Sequence, residues 1–378
     1  MRIIIILNGI LSQNSALSGG DLRPLYLAKY WQQTGQTIEI VGAKAALEVA
    51  KKLDVRATLS EIPHTAAKAS KVSYLKRAIQ ILFWQPFDLN GEKTVIYSSN
   101  DAIFDVLPAV YLKIKNPQTK WAAVVHWLPP WPPWKRENSS VLSSLLFFIN
   151  QRISLFFIRN LADTILAVSE STQKQLLDVG ISKKNIKAVI CGADISRIQS
   201  IPAPKIMYDA VFMKRLQRTK GVFDLISIWQ EVLKTKPDAK LAVIGTGPDE
   251  VELRALIEEA GLTEQIHLLG QIHDTDKKYR ILKSAKLFVL PTYEENWAIV
   301  IGEALAARLP VITYDLPELR SVWKAHISYI EKGNTQLFAK EIMQQLKKST
   351  ISKETKQFIE NYDWKRISEE ELKILSDL

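Results

Sequence analysis

The most constraining feature of the sequence is residues 292–315, TYEENWAIVIGEALAARLPVITYD. An apolar run, Ala285–Leu290, ends at Pro291 before it, and a second apolar run, Val311–Tyr314, follows Pro310. Short apolar runs bounded by breakers are typical of buried strands, and the apolar residues between these two recur at helical spacing. The segment therefore predicts strand, turn, helix and strand, as in an open parallel sheet.

Two glutamates of this segment lie where such a sheet binds ligands. Glu295 is expected in the turn after the first strand, and Glu303 in the helix behind it. That turn faces the crevice beyond the strand ends, and the N–H groups of a helix start attract anions. Phosphate suits the N–H groups and sugar hydroxyls suit the carboxylates, so a nucleotide-sugar fits both. The alternative is an exposed acidic turn with a glutamate on a helix surface.

The chain has 378 residues, more than one hydrophobic core usually carries, so two domains are expected. Its single cysteine, Cys191, excludes an internal disulfide and favours a cytoplasmic location. The N-terminal run MRIIIILNGIL is interrupted by Asn8 and Gly9, and we interpret it as a buried strand rather than a signal peptide. No run reaches the eighteen or so apolar residues that a membrane-spanning helix needs.

Positive charge is concentrated in the first half of the chain. Residues 1–200 contain 24 Lys and Arg against 14 Asp and Glu, whereas residues 201–378 contain 26 of each kind. Nucleic acid and anionic membranes are the usual partners of such an asymmetry. No nucleic-acid recognition motif accompanies the charge, so we expect no nucleic-acid partner.

Strands and helices alternate along the whole chain, which predicts α/β domains with parallel sheets. Gly19 and Gly20 follow the first strand, and paired glycines let backbone N–H groups approach a phosphate. The segment Ile201-Pro202-Ala203-Pro204 is interpreted as the linker between domains. The predicted strands are 3–7, Thr37–Val41, Thr94–Ser98, Trp121–Val125, Asp163–Val168, Asp209–Met213, Leu241–Ile244, Ile266–Leu269, Ala285–Leu290 and Val311–Tyr314.

Two segments of the first half combine basic and large apolar residues, as surfaces that lie on a membrane do. The alternatives are a core helix with a solvated basic face, and a substrate-binding lip. One segment is residues 66–87 and the other is the proline-rich loop after His126. The residues assigned to a membrane or acceptor surface are Lys68, Lys71, Lys76, Arg77, Trp84, Trp127, Trp131 and Trp134.

The helix predicted at Val141–Ile158 carries apolar residues on two sides. Leu142, Leu145, Leu146, Ile149, Ile153 and Phe156 form one face, which we expect to face the core. Phe147 and Ile158 fall nearly opposite. The helix is therefore either buried all round, or its second face meets lipid or a partner.

The whole chain resembles the retaining glycosyltransferases of family 4, within glycosyl transferases group 1. The motifs that carry the resemblance are Gly19-Gly20, His126 at a strand end, Ser169-Glu170, Asp194, Arg215 with Lys220 and Gly221, Gly245-Thr246-Gly247-Pro248, and Glu295 with Glu303-Ala304-Leu305-Ala306. The resemblance implies two Rossmann-like domains, the GT-B fold, with a deep interdomain cleft. It implies an acceptor-binding domain at 1–200, a donor-binding domain at 201–362, and a helix at 363–378 packing on the first domain.

The resemblance also implies a role for each matching residue. Arg215 and Lys220 would neutralise the donor diphosphate in place of a metal, so no metal or cofactor is expected. Glu295 and His126 would hold the donor sugar, and Glu303 would accept from the ribose diol. The remaining donor contacts would come from Gly19, Gly20, Gly245, Gly247, Ile272, Asn296, Trp297, Ala298 and Ile299. The family's Gly-aromatic-Gly reads Asn296-Trp297-Ala298 here, which bears on donor choice.

The predicted function is metal-independent transfer of a hexose, with retention, from a UDP- or GDP-sugar to a glycan or lipid-linked acceptor. The resemblance implies front-face displacement, in which the leaving phosphate helps to deprotonate the acceptor. The basic, tryptophan-rich first half predicts a peripheral location on the cytoplasmic face of the membrane. The alternatives are a soluble acceptor, a non-catalytic partner or scaffold subunit, and a sugar-nucleotide epimerase.

Overall fold

The structure is a computed structural model that describes residues 1–10, 19–62, 80–81, 84, 89, 92–129, 131–135, 140–348 and 350–378. The chain forms two compact units. The first contains Met1–Arg136, Ser140–Cys191 and Trp364–Leu378, and the second contains Gly192–Asp363. Each unit is a parallel sheet with helices, so the predicted α/β class is confirmed.

Within the residues that the structure describes, the sheet of the first unit has seven strands in the order β3-β2-β1-β4-β5-β6-β7. Every neighbouring pair is parallel. The central strands read as continuous apolar runs because helices cover both faces of such a sheet. The strands are β1 (Arg2–Leu7), β2 (Thr37–Gly42), β3 (Thr58–Glu61), β4 (Thr94–Ser98), β5 (Lys120–Val125), β6 (Thr164–Ala167) and β7 (Ile186–Ala188).

The helices described in the first unit follow the strands in alternation. They are α1 (Gly19–Trp31), α2 (Lys44–Lys52), α3 (Ile103–Lys115), α4 (Val141–Leu161), α5 (Glu170–Asp178) and the C-terminal α14 (Trp364–Ser376). Helix α5 begins with a side-chain cap, because the Ser169 hydroxyl accepts a hydrogen bond from the Thr172 N–H at 3.0 Å.

In the described part of the second unit the sheet has six parallel strands in the order β10-β9-β8-β11-β12-β13. The strands are β8 (Tyr208–Met213), β9 (Leu241–Ile244), β10 (Ile266–Gly270), β11 (Ala285–Leu290), β12 (Val311–Tyr314) and β13 (Ser328–Ile330). The helices are α6 (Ile195–Ser200), α7 (Asp224–Leu233), α8 (Glu250–Glu259), α9 (Thr275–Lys283), α10 (Ile299–Ala306), α11 (Pro317–Trp323), α12 (Thr335–Lys348) and α13 (Lys353–Ile359).

Both sheets reverse their strand order next to their first strand. In the first unit the reversal lies between β1 and β4, and in the second it lies between β8 and β11. Open α/β sheets bind ligands at this point, outside the carboxyl ends of the strands. The loops that follow β8 and β11 are therefore the first place to look for a site in the second unit.

The units meet in sequence at Cys191 and Gly192, earlier than the predicted boundary at residue 200. Helix α6 belongs to the second unit because its side chains and carbonyls bind there. The Arg197 guanidinium pairs with Asp276 at 2.9 Å, and Lys283 donates to the Ile198 carbonyl at 3.2 Å. The predicted linker at Ile201–Pro204 therefore lies inside the second unit.

Helix α14 lies in the first unit, although it follows the second in sequence. The Arg23 guanidinium donates two hydrogen bonds to the Glu371 carboxylate, and both side chains are 1% exposed. The Trp31 indole N–H donates to the Ser368 carbonyl at 2.9 Å. Charge pairing and hydrogen bonding together fix this helix against α1.

Helix α4 is inverted relative to the prediction. The predicted core face is exposed: Leu142, Leu145, Leu146, Ile149, Ile153 and Phe156. The buried residues include Ser144, Gln151 and Ser154 instead. The inward side is polar because it bonds the loops at the strand ends. Gln151 donates to Asp101 and to the Trp127 carbonyl, and Asn150 accepts from the Ile103 N–H at 3.2 Å.

Candidate functional site

The Glu295 carboxylate stands at the point where the second sheet reverses its order. Strand β11 ends at Leu290, and the following loop carries Glu295 to within 2.9 Å of the Lys214 ammonium and 3.0 Å of the Lys220 ammonium. Both distances are to the same oxygen, Oε1. The carboxylate is 7% exposed. Two lysines from the loop after β8 thus share one buried carboxylate from the loop after β11.

The charges of this cluster shift the pKa values of its members. Burial by itself would raise the pKa of Glu295, but Lys214 and Lys220 outweigh it and lower the pKa below its ordinary value. Burial lowers the pKa of Lys214, and the neighbouring Lys220 adds to that shift while Glu295 opposes it. Glu295 is therefore ionised at neutral pH and can accept hydrogen bonds from hydroxyl groups.

Two glycines allow the loops of this cluster to touch. A Cβ at Gly221, whose φ is +70°, would lie 1.7 Å from the Pro291 carbonyl oxygen. A Cβ at Gly247 would lie 2.0 Å from the Leu216 carbonyl oxygen. No side chain fits either position, so both glycines are needed for backbone contact among the loops after β8, β9 and β11.

Arg215 does not join the ion pairs around Glu295. Its side chain is exposed and has no hydrogen bond or ion pair with any residue that the structure describes. Of the basic pair predicted from the sequence, Lys220 forms an ion pair with Glu295. The second cation paired with Glu295 is Lys214 and not the predicted Arg215. Arg215 lies beside them in the chain with its guanidinium available to a ligand.

Glu303 lies one turn into α10 and is held by two side chains of α9. Its Oε1 accepts from the Lys278 ammonium at 2.9 Å and from the Tyr279 hydroxyl at 3.0 Å. The Glu303 side chain is 6% exposed. The carboxylate is therefore oriented by charge-assisted hydrogen bonds, which are stronger than neutral ones.

The turn between Glu295 and α10 contains the other predicted donor contacts. Asn296 and Ile299 are half-buried, whereas Trp297 is 3% exposed. The ring centroids of Trp297 and Trp323 are 4.5 Å apart. Because the Trp297 ring is buried, any contact between Trp297 and a donor would have to use the Trp297 backbone. Ala298 has a φ of +55°, in the left-handed region where only glycine is free of strain. Backbone strain of this kind clusters at ligand sites.

Ile272, the predicted base contact, is half-buried in the loop between β10 and α9. Gly245, in the loop after β9, contacts the end of β10, because its N–H donates to the Gly270 carbonyl at 2.9 Å. A Cβ at Gly245 would lie 2.0 Å from the Lys214 carbonyl oxygen. The loops after β8, β9 and β10 are therefore joined through backbone contacts at one edge of the sheet.

In the first unit the structure brings Gly20 and His126 together. A Cβ at Gly20 would lie 3.1 Å from Nε2 of His126, and this nitrogen is 2.9 Å from the Ser99 carbonyl oxygen. Burial lowers the pKa of His126, so its imidazole is neutral at pH 7. Because a carbonyl only accepts, Nε2 carries the proton. Burial also raises the pKa of Asp101, whose Oδ1 accepts from the His126 backbone N–H at 3.4 Å.

The predicted membrane residues divide into four groups. Trp131 and Trp134 are exposed, at 69% and 62%, as expected. Trp127 is half-buried, and its ring centroid lies 6.0 Å from that of Phe147. The prediction for Trp84 is wrong, because this ring is 7% exposed and packs in the apolar core of the first unit. The remaining four lie outside the described residues: Lys68, Lys71, Lys76 and Arg77.

Sequence reasoning missed Lys214, Lys278 and Tyr279. Lys214 directly follows a buried strand and precedes Arg215, so both residues lie at the same strand end. That position is a sequence signal for a binding residue, but the predicted basic pair contains Arg215 and not Lys214. Lys278 and Tyr279 lie on an amphipathic helix, and no motif distinguishes them from other helix residues. Within the described part of the chain, no group of three or more His, Cys, Asp or Glu side chains could hold a metal ion.

Comparison with known proteins identifies the second unit. The family model described as glycosyl transferases group 1 matches residues 196–363. The matched range contains Lys214, Lys220, Glu295 and Glu303, so the site described above lies within the part of the chain that the family model matches.

Sequence relatives carry related names. The chain is 30% identical over 178 residues to TuaC of Bacillus subtilis, named as a glycosyltransferase of teichuronic acid biosynthesis, covering 44% of this chain and 42% of TuaC. It is 25% identical over 197 residues to the phosphatidyl-myo-inositol mannosyltransferase of Mycobacterium leprae, covering 48% of this chain and 51% of that protein. The chain thus spans about half the length of the curated relatives it matches.

A solved structure covers the whole chain. Anabaena HepE in complex with UDP and glucose superposes with a TM-score of 0.72 at 15% identity, covering 100% of this chain and 99% of HepE. This likeness shows the fold. The predicted pair of Rossmann-like domains of the GT-B type is confirmed.

Proposed function

We propose that this protein is a retaining, metal-independent glycosyltransferase of family 4 that transfers a hexose from a UDP- or GDP-sugar. The acceptor is a hydroxyl group of a lipid-linked or glycan precursor at the cytoplasmic face of a membrane. The proposal extends the family match of residues 196–363 to the activity of the whole chain.

One observation carries the proposal: Lys214 and Lys220 share the Glu295 carboxylate at the point where the second sheet reverses its order. Cations at this point suit a diphosphate, and an ionised carboxylate beside them suits sugar hydroxyls. Arg215, exposed next to Lys214, adds a planar donor group that matches phosphate oxygens. Glu303, oriented by Lys278 and Tyr279, is assigned to the ribose diol.

The reaction follows from where charge develops. The bond between the anomeric carbon and the diphosphate oxygen breaks, and the acceptor oxygen bonds to the same face of that carbon. The acceptor's proton passes to the leaving diphosphate oxygen. Negative charge grows on that diphosphate, so positioned cations lower the barrier most effectively there. The assignments of Gly19, Gly20 and His126 in the first unit rest on the family resemblance and stay predictions.

The proposal is tested with a panel of UDP- and GDP-sugars in the presence of EDTA. We expect one donor to stabilise the wild type in a thermal-shift assay and to be hydrolysed slowly. Both responses should be lost in Glu303→Ala and kept in Glu264→Ala, an exposed glutamate of the same unit. No response of the wild type to any donor, or activity only after a divalent metal is restored, would contradict the proposal. An α-linked donor should give an α-linked product, and a β-linked product would exclude retention.

A membrane location is supported by the surface of α4. Together with Trp131 and Trp134, its outward apolar side chains form what we name the α4 surface: Leu142, Leu145, Leu146, Ile149, Ile153 and Phe156. The ring centroids of Trp131 and Phe148 are 5.1 Å apart, so the proline-rich loop and the helix are in contact. The mannosyltransferase relative is named for a phospholipid, phosphatidyl-myo-inositol.

The geometry favours a helix that lies on a bilayer. Among the described residues α4 is the one helix that is long and apolar enough to cross a membrane, and 28% of its apolar window is buried. A crossing would strip Gln151 and Asn150 of their hydrogen bonds to the first unit. Helix α4 contains Arg152 and Arg159 and no acidic residue, which suits an anionic surface.

Co-sedimentation with vesicles tests this part of the proposal. The protein should pellet with vesicles rich in phosphatidylglycerol and pellet less with phosphatidylcholine alone. The double substitution Ile153→Lys and Phe156→Lys should abolish pelleting, whereas Val251→Lys, at an exposed apolar residue of the second unit, should not. Equal pelleting of the double variant, or full wild-type transfer to a soluble acceptor without vesicle binding, would exclude the membrane location.

A further inference from the structure

Lys214 is placed at the donor site by its backbone as well as by its charge. Its N–H donates to the Ile244 carbonyl at 3.1 Å, and its own carbonyl lies against Gly245, where a Cβ would clash at 2.0 Å. The residue immediately follows β8, and its side chain is 21% exposed. The ammonium is therefore held at the carboxyl edge of the sheet and remains within reach of a ligand.

The ion pairs that the described residues form around Lys214 contain more cations than carboxylates. Lys214 and Lys220 share Glu295, and the nearby Glu303 has its own cation in Lys278. These ion pairs join three ammonium groups to two carboxylates, and the exposed Arg215 adds a further positive charge. A partly buried excess of positive charge at a ligand-binding edge favours an anion.

A second cluster on the same strands shows what a balanced arrangement looks like. At the opposite end of β8 and β11, the Asp209 carboxylate pairs with Lys286 at 2.9 Å and with Lys236 at 3.3 Å. There Lys236 also pairs with Asp238 at 2.8 Å, so two cations meet two carboxylates. The two clusters share strands and residue types, and only the one at the carboxyl edge has excess positive charge.

We propose that Lys214 binds the diphosphate of the nucleotide-sugar together with Lys220 and Arg215. This inference rests on the proposed function. In the free protein Glu295 holds the Lys214 ammonium in place. In the complex that ammonium bridges Glu295, which accepts from the sugar, and a diphosphate oxygen, so the sugar and the leaving group are positioned through one side chain.

Binding of UDP, GDP, uridine and guanosine separates this role from a structural one. Loss of one charge-assisted hydrogen bond should weaken binding of the preferred nucleoside diphosphate by about tenfold to a hundredfold in Lys214→Met and in Lys214→Gln. Lys214→Arg should retain most of the affinity. Lys286→Met, the matched control at the opposite strand ends, should bind as the wild type does. Affinity for the nucleoside alone should not change in any variant.

The possible results are distinguishable. If Lys214→Met and Lys214→Gln bind the nucleoside diphosphate like the wild type and lose affinity only for the intact nucleotide-sugar, Lys214 merely positions Glu295 and the inference is wrong. If Lys286→Met loses as much affinity as Lys214→Met, the effect is one of general charge and the inference is again wrong. If the wild type binds neither UDP nor GDP, the proposed function itself fails.

Discussion

Each unit buries a carboxylate against cations, and the two clusters differ in balance and exposure. In the first unit Arg23 and Glu371 pair one to one, each 1% exposed, and the Tyr97 hydroxyl donates to Glu371 at 2.7 Å. In the second unit Glu295 is shared by Lys214 and Lys220, which are 21% and 16% exposed.

The difference separates architecture from binding. A fully buried pair cannot reach a ligand, so Arg23 and Glu371 serve to fix α14 in the first unit. A partly exposed cluster with excess positive charge can exchange partners when an anion arrives. We therefore expect substitutions in the first cluster to change stability and substitutions in the second to change activity.

The largest expected effect is on stability, from Arg23→Met. The substitution leaves the Glu371 carboxylate buried without its cation, and breaking a buried pair in this way costs about 3–5 kcal/mol. Urea denaturation monitored in the first unit measures the loss. Lys29→Met is the control on the same helix, because its partner Asp54 is 77% exposed and such a pair contributes about 1 kcal/mol or less. Equal losses for the two variants would remove the distinction between the clusters.

The next effect is on catalysis, from Glu295→Gln. The amide keeps the shape of the side chain but removes the charge that orders two lysines and accepts from the sugar. We expect the transfer rate to fall about a hundredfold, the size typical for loss of one positioned electrostatic contact. Its stability should fall less than that of Arg23→Met, because Lys214 and Lys220 can reach water. Glu264→Gln should leave the rate unchanged. A Glu295→Gln enzyme with wild-type rate would place the site elsewhere.

A pH titration gives a smaller effect of known sign. The pKa of Lys214 lies below its ordinary value near 10.5, and Lys220, Glu295 and Glu303 are the charged groups that act on it. One pKa is that of Lys214 in the folded protein, and the other is its ordinary value in the unfolded chain. Between these two values the folded protein binds fewer protons than the unfolded chain, so the contribution of Lys214 to stability rises with pH. Diphosphate affinity should fall over the same window, by about tenfold, as the ammonium is lost.

Lys214→Arg is the control for that titration, because a guanidinium keeps its charge throughout the range. The decline in affinity should move to higher pH in this variant. If wild type and Lys214→Arg lose affinity at the same pH, another group controls binding.

The smallest effect concerns backbone strain at the second site. Ala298→Gly relieves a residue whose φ is +55°, which should raise stability by about 0.5–1 kcal/mol after the added chain entropy of glycine. Ala255→Gly, at an exposed position within α8, should lower stability by about 1 kcal/mol. Thermal denaturation measures both. The same sign for both variants would show that the turn is unstrained.

The sequence predicted the second unit well because its signals are local. The runs Leu241–Ile244, Ala285–Leu290 and Val311–Tyr314 are strands with the predicted bounds, since both faces of a central parallel strand are buried and each run is mostly apolar. The strands that the sequence did not reveal, β3, β7 and β13, are at sheet edges, where short pairing and one-sided exposure weaken the pattern.

The orientation of α4 could not be predicted from its periodicity. Periodicity finds an apolar face but not the direction in which that face points, and the prediction places the larger face against the core. The structure buries Ser144, Gln151 and Ser154 instead, because the loops beside them offer hydrogen-bond partners that only tertiary structure creates. Lys214 was missed for a related reason, since its pairing with Glu295 joins residues far apart in the chain.

The most direct test of the account compares donor-induced stabilisation in three proteins: wild type, Arg23→Met and Glu295→Gln. Each is heated with and without the preferred UDP- or GDP-sugar. We expect Arg23→Met to melt earlier but to be stabilised by the donor as the wild type is, whereas Glu295→Gln should melt near the wild type and lose that stabilisation. Donor stabilisation that survives in Glu295→Gln and disappears in Arg23→Met would contradict it.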